Sequence, residues 1–130
     1  VADQVLEILL RLRRSGIVVA DRCLYDTLVD LAVETGSAKL VFERIGPLLE
    51  RLLPQPRAVF VLEREVWDIL RARPDVAIDP YFEQRRRLYE EVAQRFGLIR
   101  LPITGTVPQL LSVIEKEIAR CLREKLEVCQ

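Results

Sequence analysis

Asp21 and Arg22 stand directly behind an apolar run, Ile17-Val18-Val19-Ala20, that follows Gly16. An aspartate in such a place can hold a hydrated Mg2+ or orient a nucleophile, and an arginine can grip a phosphate through two parallel hydrogen bonds. Tyr25, Asp26 and Thr27 come next, with Asp30 one turn past Asp26, so a ring, further acids and a hydroxyl gather beside that pair. A second group is Arg71, Arg73 and the run Arg85-Arg86-Arg87, flanking a loop. Arginines on a mobile loop can neutralise charge that develops on a transferring phosphoryl group while the loop excludes water. Both groups therefore point to phosphate chemistry.

Each group has a plainer account. Asp21 and Arg22 can be a solvated strand end or a structural ion pair, Asp26 a helix-start acid favoured by the macrodipole, and Asp30 part of a solvated face. Arg86 and Arg87 are balanced by Glu83, Glu90 and Glu91 at helical spacing. Trp67 and Phe60 are read as core residues, and Tyr81-Phe82 as packing at a helix start or as a stacking surface for a nucleobase. The chain has no histidine, so a Ser/His/Asp or Cys/His arrangement is excluded, and cysteines without a base are poor nucleophiles.

The elements that must position these residues follow from periodicity. Ile17–Ala20 reads as a strand buried on both faces, and charges at its carboxyl end lie where open α/β sheets place ligands. The spacing predicts helices over 3–14, 23–33 and 39–53, the last kinked or split at Gly46-Pro47. A second buried strand is expected at 58–62, a short helix holding Trp67 at 65–72, and a loop from Arg73 to Pro80. A longer helix over 81–96, closed by Gly97, leads to a third strand at 98–103 and a turn, Thr104-Gly105-Thr106. The last helix starts at Val107, with the Thr106 hydroxyl as its N-cap and Val107, Leu110, Leu111, Ile114, Ile118, Cys121 and Leu122 facing inward. Strands alternating with helices imply one α/β domain over residues 1–130, a parallel sheet flanked by helices in three layers.

Composition narrows the partners. Lys+Arg and Asp+Glu are each 20, so the net charge is zero and nothing at whole-chain level favours nucleic acid or an acidic membrane surface. Half of the residues are hydrophobic, which suits a packed core. The three cysteines show no CxxC spacing and read as free thiols of a reducing compartment. No apolar run approaches the roughly 18 residues of a membrane helix, and a cytoplasmic protein is expected. The chain starts at Val1 and contains no methionine, so we expect it to be the later part of a longer protein.

The order of these elements resembles the later two-thirds of the thymidylate kinase family of P-loop nucleoside monophosphate kinases. The residues that carry the resemblance are Val18-Val19-Ala20-Asp21-Arg22 with Tyr25-Asp26-Thr27, then Arg71-Ala72-Arg73, then Tyr81 through Glu91. The resemblance implies ATP-dependent phosphoryl transfer to a nucleoside monophosphate with Mg2+. Asp21 would lie by the metal and the acceptor phosphate, and Arg22 would bind that phosphate beside Tyr25, Asp26 and Thr27. Arg71 and Arg73 would be lid arginines, and Thr104, Gly105 and Thr106 would pass near the adenine of ATP. The family's Gly-rich loop ending in Gly-Lys-Ser/Thr is absent from these residues, so the chain alone is expected to be inactive. Asp26, Thr27 and Leu28 stand where the family reads thymine with a small hydroxyl residue and a glutamine, which leaves the base open. The competing expectation is a non-catalytic α/β interaction or regulatory domain. A sheet edge left without a neighbour would favour a homo-oligomer.

Overall fold

The computed structural model describes residues 18–128, with side chains through Glu124. The helix expected over 3–14 and the first residue of the 17–20 strand lie outside the described residues. The chain divides into two compact units, one within Val1–Gln55 and Glu83–Val92, the other within Pro56–Phe82 and Ala93–Gln130.

In the first unit, α1 spans Leu24–Thr35. Its N-cap, Cys23, is extended, and the Asp26 carboxylate three residues on accepts the Cys23 backbone N–H at 2.9 Å. An acid reaching back in this way satisfies one of the orphan donors of a helix start. Gly36 ends the helix in the left-handed conformation, φ 66°. Tyr25, Leu28, Val29 and Ala32 form its buried face.

A short helix α2, Ala38–Leu40, then widens into a π-helical turn over Val41–Ile45 before α3, Gly46–Leu52. Proline explains the change of pitch. Pro47 has no N–H to give to the preceding turn, and the Gly46 N–H bonds instead to the Val41 carbonyl, one residue farther back than in an α-helix. The expected break at Gly46-Pro47 is thus present as a wide turn. It swings Val41 and Phe42 fully into the core, with Leu28 and Val29 of α1 also fully buried. Leu88 and Val92 add to the buried set of this unit. Each such side chain contributes about 1.5–3 kcal/mol on burial, so Phe42 and its neighbours supply most of the driving force here.

In the second unit, β1, Phe60–Glu63, pairs in parallel with β2, Ile99–Pro102, in the register Phe60↔Ile99 and Leu62↔Leu101. Backbone bonds from Ile99 N–H to the Val59 carbonyl and from Ile103 N–H to the Glu63 carbonyl extend the ladder at both ends. The helix α4, Val66–Ala72, follows β1 and leads to a 3-10 turn, Pro74–Ile78. Helix α5 spans Phe82–Arg95, contributing Glu83–Val92 to the first unit and its two ends to the second. Gly97, at φ 65°, turns the chain from α5 into β2, and α6 spans Val107–Val128. The described residues are therefore mostly helical, with a two-stranded parallel sheet and the strand–helix–strand order of an α/β protein.

Three expectations are corrected. Val18–Ala20 do not form a strand, and Val19 is 91% exposed. A strand exists through its ladder, and among the described residues the only paired strands are β1 and β2. Trp67, expected in the core, is 78% exposed on α4. On α6 the apolar stripe forms at the expected spacing, but Val107, Leu111, Ile118 and Leu122 are exposed. Periodicity identifies an apolar face without naming what covers it.

The start of α6 reverses the expected cap. The Thr106 backbone N–H donates to Gln109 Oε1 at 2.8 Å, so the glutamine three residues in does the capping. Gly105, at φ 78°, lies against it, and a Cβ there would fall 2.1 Å from Gln109 Oε1. Gly36 has a similar φ but nothing within 4 Å of an added Cβ. Gly36→Ala is expected to cost only the left-handed strain, about 1–2 kcal/mol, whereas Gly105→Ala adds loss of the cap, about 1 kcal/mol more. Urea unfolding of both variants measures the difference, and equal losses would rule out the Gln109 contact as a stabilising cap.

Candidate functional site

The carboxylates of α1 meet residues of α5 in an ordered way within the first unit. The Tyr89 hydroxyl donates to Asp26 Oδ1 at 2.8 Å, and the Arg85 guanidinium bonds Asp30 Oδ1. Asp26 and Asp30 are four residues apart on one helix, and Arg85 and Tyr89 four apart on the other. The earlier acid pairs with the later partner, so the two stretches run antiparallel where they touch. This geometry follows from helical spacing alone once the helices face each other.

Both oxygens of Asp26 are engaged. Oδ2 accepts the Cys23 amide and Oδ1 the Tyr89 hydroxyl, so it acts as a joint between the foot of α1 and α5. Asp30, expected on a solvated face, instead holds Arg85, with both side chains little more than a third exposed. Tyr25 is buried, and its hydroxyl donates to Glu50 Oε1 on α3 at 2.7 Å, which places it in the packing of α1 and α3. Thr27 is half-buried. Asp21 and Arg22 are exposed, and neither has a hydrogen-bond or ion-pair partner among the described residues.

Electrostatics follow the same pattern. Burial first, then the bond to Asp26 and the nearby Asp30 charge, pushes the Tyr89 phenol well above its ordinary value, while Arg22 acts in the opposite sense. Tyr25 is raised by burial and then by its bond to Glu50. Burial also raises the Cys23 thiol, which keeps it protonated and inert, as expected for a cysteine without a base.

The triple arginine divides by helix face. Arg86 bridges Glu83 at 2.9 Å and Glu90 at 2.8 Å, and Arg87 reaches Glu83 at 3.3 Å, the intrahelical balance that spacing suggested. Glu83 is held below the usual carboxylate range by its bond to Arg86. Arg85 reaches α1 through Asp30.

Arg71, Arg73 and Thr104–Thr106 belong to the second unit. Arg71, at the end of α4, is exposed and has no ion-pair partner among the described residues. Arg73 pairs with Asp75 at 2.7 Å on the surface, which raises the arginine and lowers the acid. Arg100 and Glu63 form a cross-strand pair between β2 and β1. Thr104 and Gly105 line an open groove with Leu101, Pro102, Gln109 and Val113. Tyr81 is exposed, its backbone N–H taken by the Asp79 side chain at 2.9 Å.

Sequence reasoning missed Tyr89, Arg85 and Glu50 as partners. The available signal was the matching spacing of Asp26/Asp30 and Arg85/Tyr89, which becomes informative only when the two helices are set against each other.

Among the described residues no helix is long and apolar enough to cross a membrane, and no group of three His, Cys, Asp or Glu side chains gathers as a metal cage. Comparison with protein-family models, curated proteins and solved structures returned no match.

Because both phenols ionise less readily in the folded protein, stability is full below the unfolded tyrosine value near 10 and falls as pH rises past it. Each tyrosine is expected to steepen alkaline unfolding by up to about 1.4 kcal/mol per pH unit. Denaturation midpoints measured from pH 9 to 11 should show a shallower decline in Tyr25→Phe and Tyr89→Phe. A decline identical to the parent in both variants would exclude these phenols as its source.

Proposed function

We propose that the chain is the acceptor-binding part of a thymidylate kinase-like nucleoside monophosphate kinase, which transfers a phosphoryl group from ATP to a nucleoside monophosphate. The observation that supports this best is Arg22. Its guanidinium has no partner among the described residues, and two acids of the helix that follows are already committed, Asp26 to an amide and a phenol and Asp30 to Arg85. An arginine whose local carboxylates are satisfied elsewhere keeps its donors for an incoming phosphate.

The other parts of the reading are assigned by resemblance. Arg71 and Arg73 serve as lid arginines, Arg73 exchanging Asp75 for phosphate oxygens. Thr104–Thr106 and their groove take the adenine of ATP, in a three-layer fold completed by a phosphate-binding loop. Mg2+ fits Asp21, an exposed acid without a partner among the described residues. Such ions use one or two carboxylates plus phosphate oxygens and keep several waters, so no all-protein cage is required. When bound, the ion would neutralise phosphate charge, and Arg22 would orient the acceptor. The reading includes a cytoplasmic location, in keeping with free thiols at Cys23 and Cys121, and self-association through the sheet edges that have no neighbouring strand among the described residues.

The exposed apolar residues Val19, Leu62 and Trp67 favour a second reading, a non-catalytic α/β interaction domain. Calorimetric titration with dTMP, other monophosphates and ATP separates the two. The kinase reading expects binding of a monophosphate that Arg22→Ala weakens roughly 10- to 100-fold, the value of a charge-assisted contact. No binding of any nucleotide, or binding indifferent to Arg22, would leave the interaction domain as the better account.

A further inference from the structure

We infer that Tyr89 is a positioning residue, whose hydroxyl holds Asp26 against the Cys23 amide and so fixes the backbone that carries Arg22. The inference rests on the kinase reading for what Arg22 binds, but its structural part stands alone.

Arg22 makes no side-chain bond among the described residues, so its position comes from its backbone. The next peptide is planar, and its N–H belongs to Cys23. That N–H is held by Asp26 Oδ2 at 2.9 Å, and Asp26 Oδ1 is held by Tyr89 at 2.8 Å. A carboxylate anchored at both oxygens cannot swing about its own axis. Released from the phenol, it gains rotamers and can trade the Cys23 amide for water. Without that anchor the segment at Asp21 and Arg22 has neither helix nor strand to hold it.

Asp30 and Arg85 provide an internal control. Their bond joins the same two helices one turn along, yet does not touch the Cys23 amide. It should therefore keep the helices in register when the phenol is lost. Both Asp30→Asn and Tyr89→Phe remove one tie between the two helices, but only Tyr89→Phe releases the carboxylate that holds the Cys23 amide and so loosens Arg22.

The test uses the whole chain labelled with nitrogen-15. Nuclear magnetic resonance relaxation of the Arg22 Nε–H group and the Cys23 amide shift report on order without ligand, and calorimetry with dTMP reports on function. Tyr89→Phe is expected to lower the order of Arg22, move the Cys23 amide proton upfield and weaken dTMP binding about 3- to 10-fold. Asp30→Asn should leave all three near the parent. Unchanged Arg22 order in Tyr89→Phe, or equal changes in both variants, would overturn the inference. Loss of Arg22 order in a protein that never bound dTMP would uphold the positioning role and remove the kinase reading.

Discussion

The first unit depends on a pair of contacts set one helical turn apart. Asp26 meets Tyr89 and Asp30 meets Arg85, and because the residues on each helix are spaced by four, only one antiparallel register satisfies both. Slipping one helix by a residue would turn these side chains about a hundred degrees away from each other. The contacts contribute little to stability, since a partly exposed ion pair is worth at most about 1 kcal/mol. Burial of Phe42, Val41, Leu28, Val29 and Val92 carries far more. Apolar packing thus holds the helices together, and the polar pair decides how they line up.

That division of labour explains how a helix start becomes a scaffold. Asp26 is at once the acid that caps α1 and the acceptor of the phenol on α5. One carboxylate therefore couples the geometry of the 22–23 peptide to a residue more than sixty positions away. In the second unit the same economy appears at Gly105. Its positive φ and missing side chain admit Gln109, whose amide oxygen closes the start of α6 directly behind the Thr104–Thr106 turn. In both places the residue three positions into the helix reaches back to the backbone N–H at the cap.

Local rules made the element order legible. Apolar runs marked β1 and β2, Gly36 and Gly97 marked helix ends, and Gly46-Pro47 marked the change of pitch. Those features act within a few residues, so sequence records them directly. Contacts across long separations were not legible. Tyr25 with Glu50 and Asp30 with Arg85 arise from packing, and each residue alone looks like a ring in a helix or a charge on a face. The misjudged residues share one cause. Val18–Ala20, Trp67 and the α6 stripe were assigned by their tendency to be buried, but burial also needs a surface to meet. Arg22 and Asp21 were legible as an exposed charged pair at the end of an apolar run, while the reason Arg22 stays unquenched was not.

That reason is electrostatic. An arginine that precedes two aspartates within about two helical turns of sequence is a natural partner for either of them. Here each acid has a partner of its own, one a phenol and an amide, the other a guanidinium. The partners of Asp26 are neutral, so its two bonds engage its oxygens without drawing on another cation. The Arg85 cation opposes the charge of Asp30 and reduces its competition for the same guanidinium. Arg22 is therefore positioned through its backbone, exposed and with no partner for its donors among the described residues. In the proposed kinase, that is the state an acceptor phosphate requires: a cation held in place before the ligand arrives, whose donors exchange water for phosphate oxygens without first breaking an ion pair.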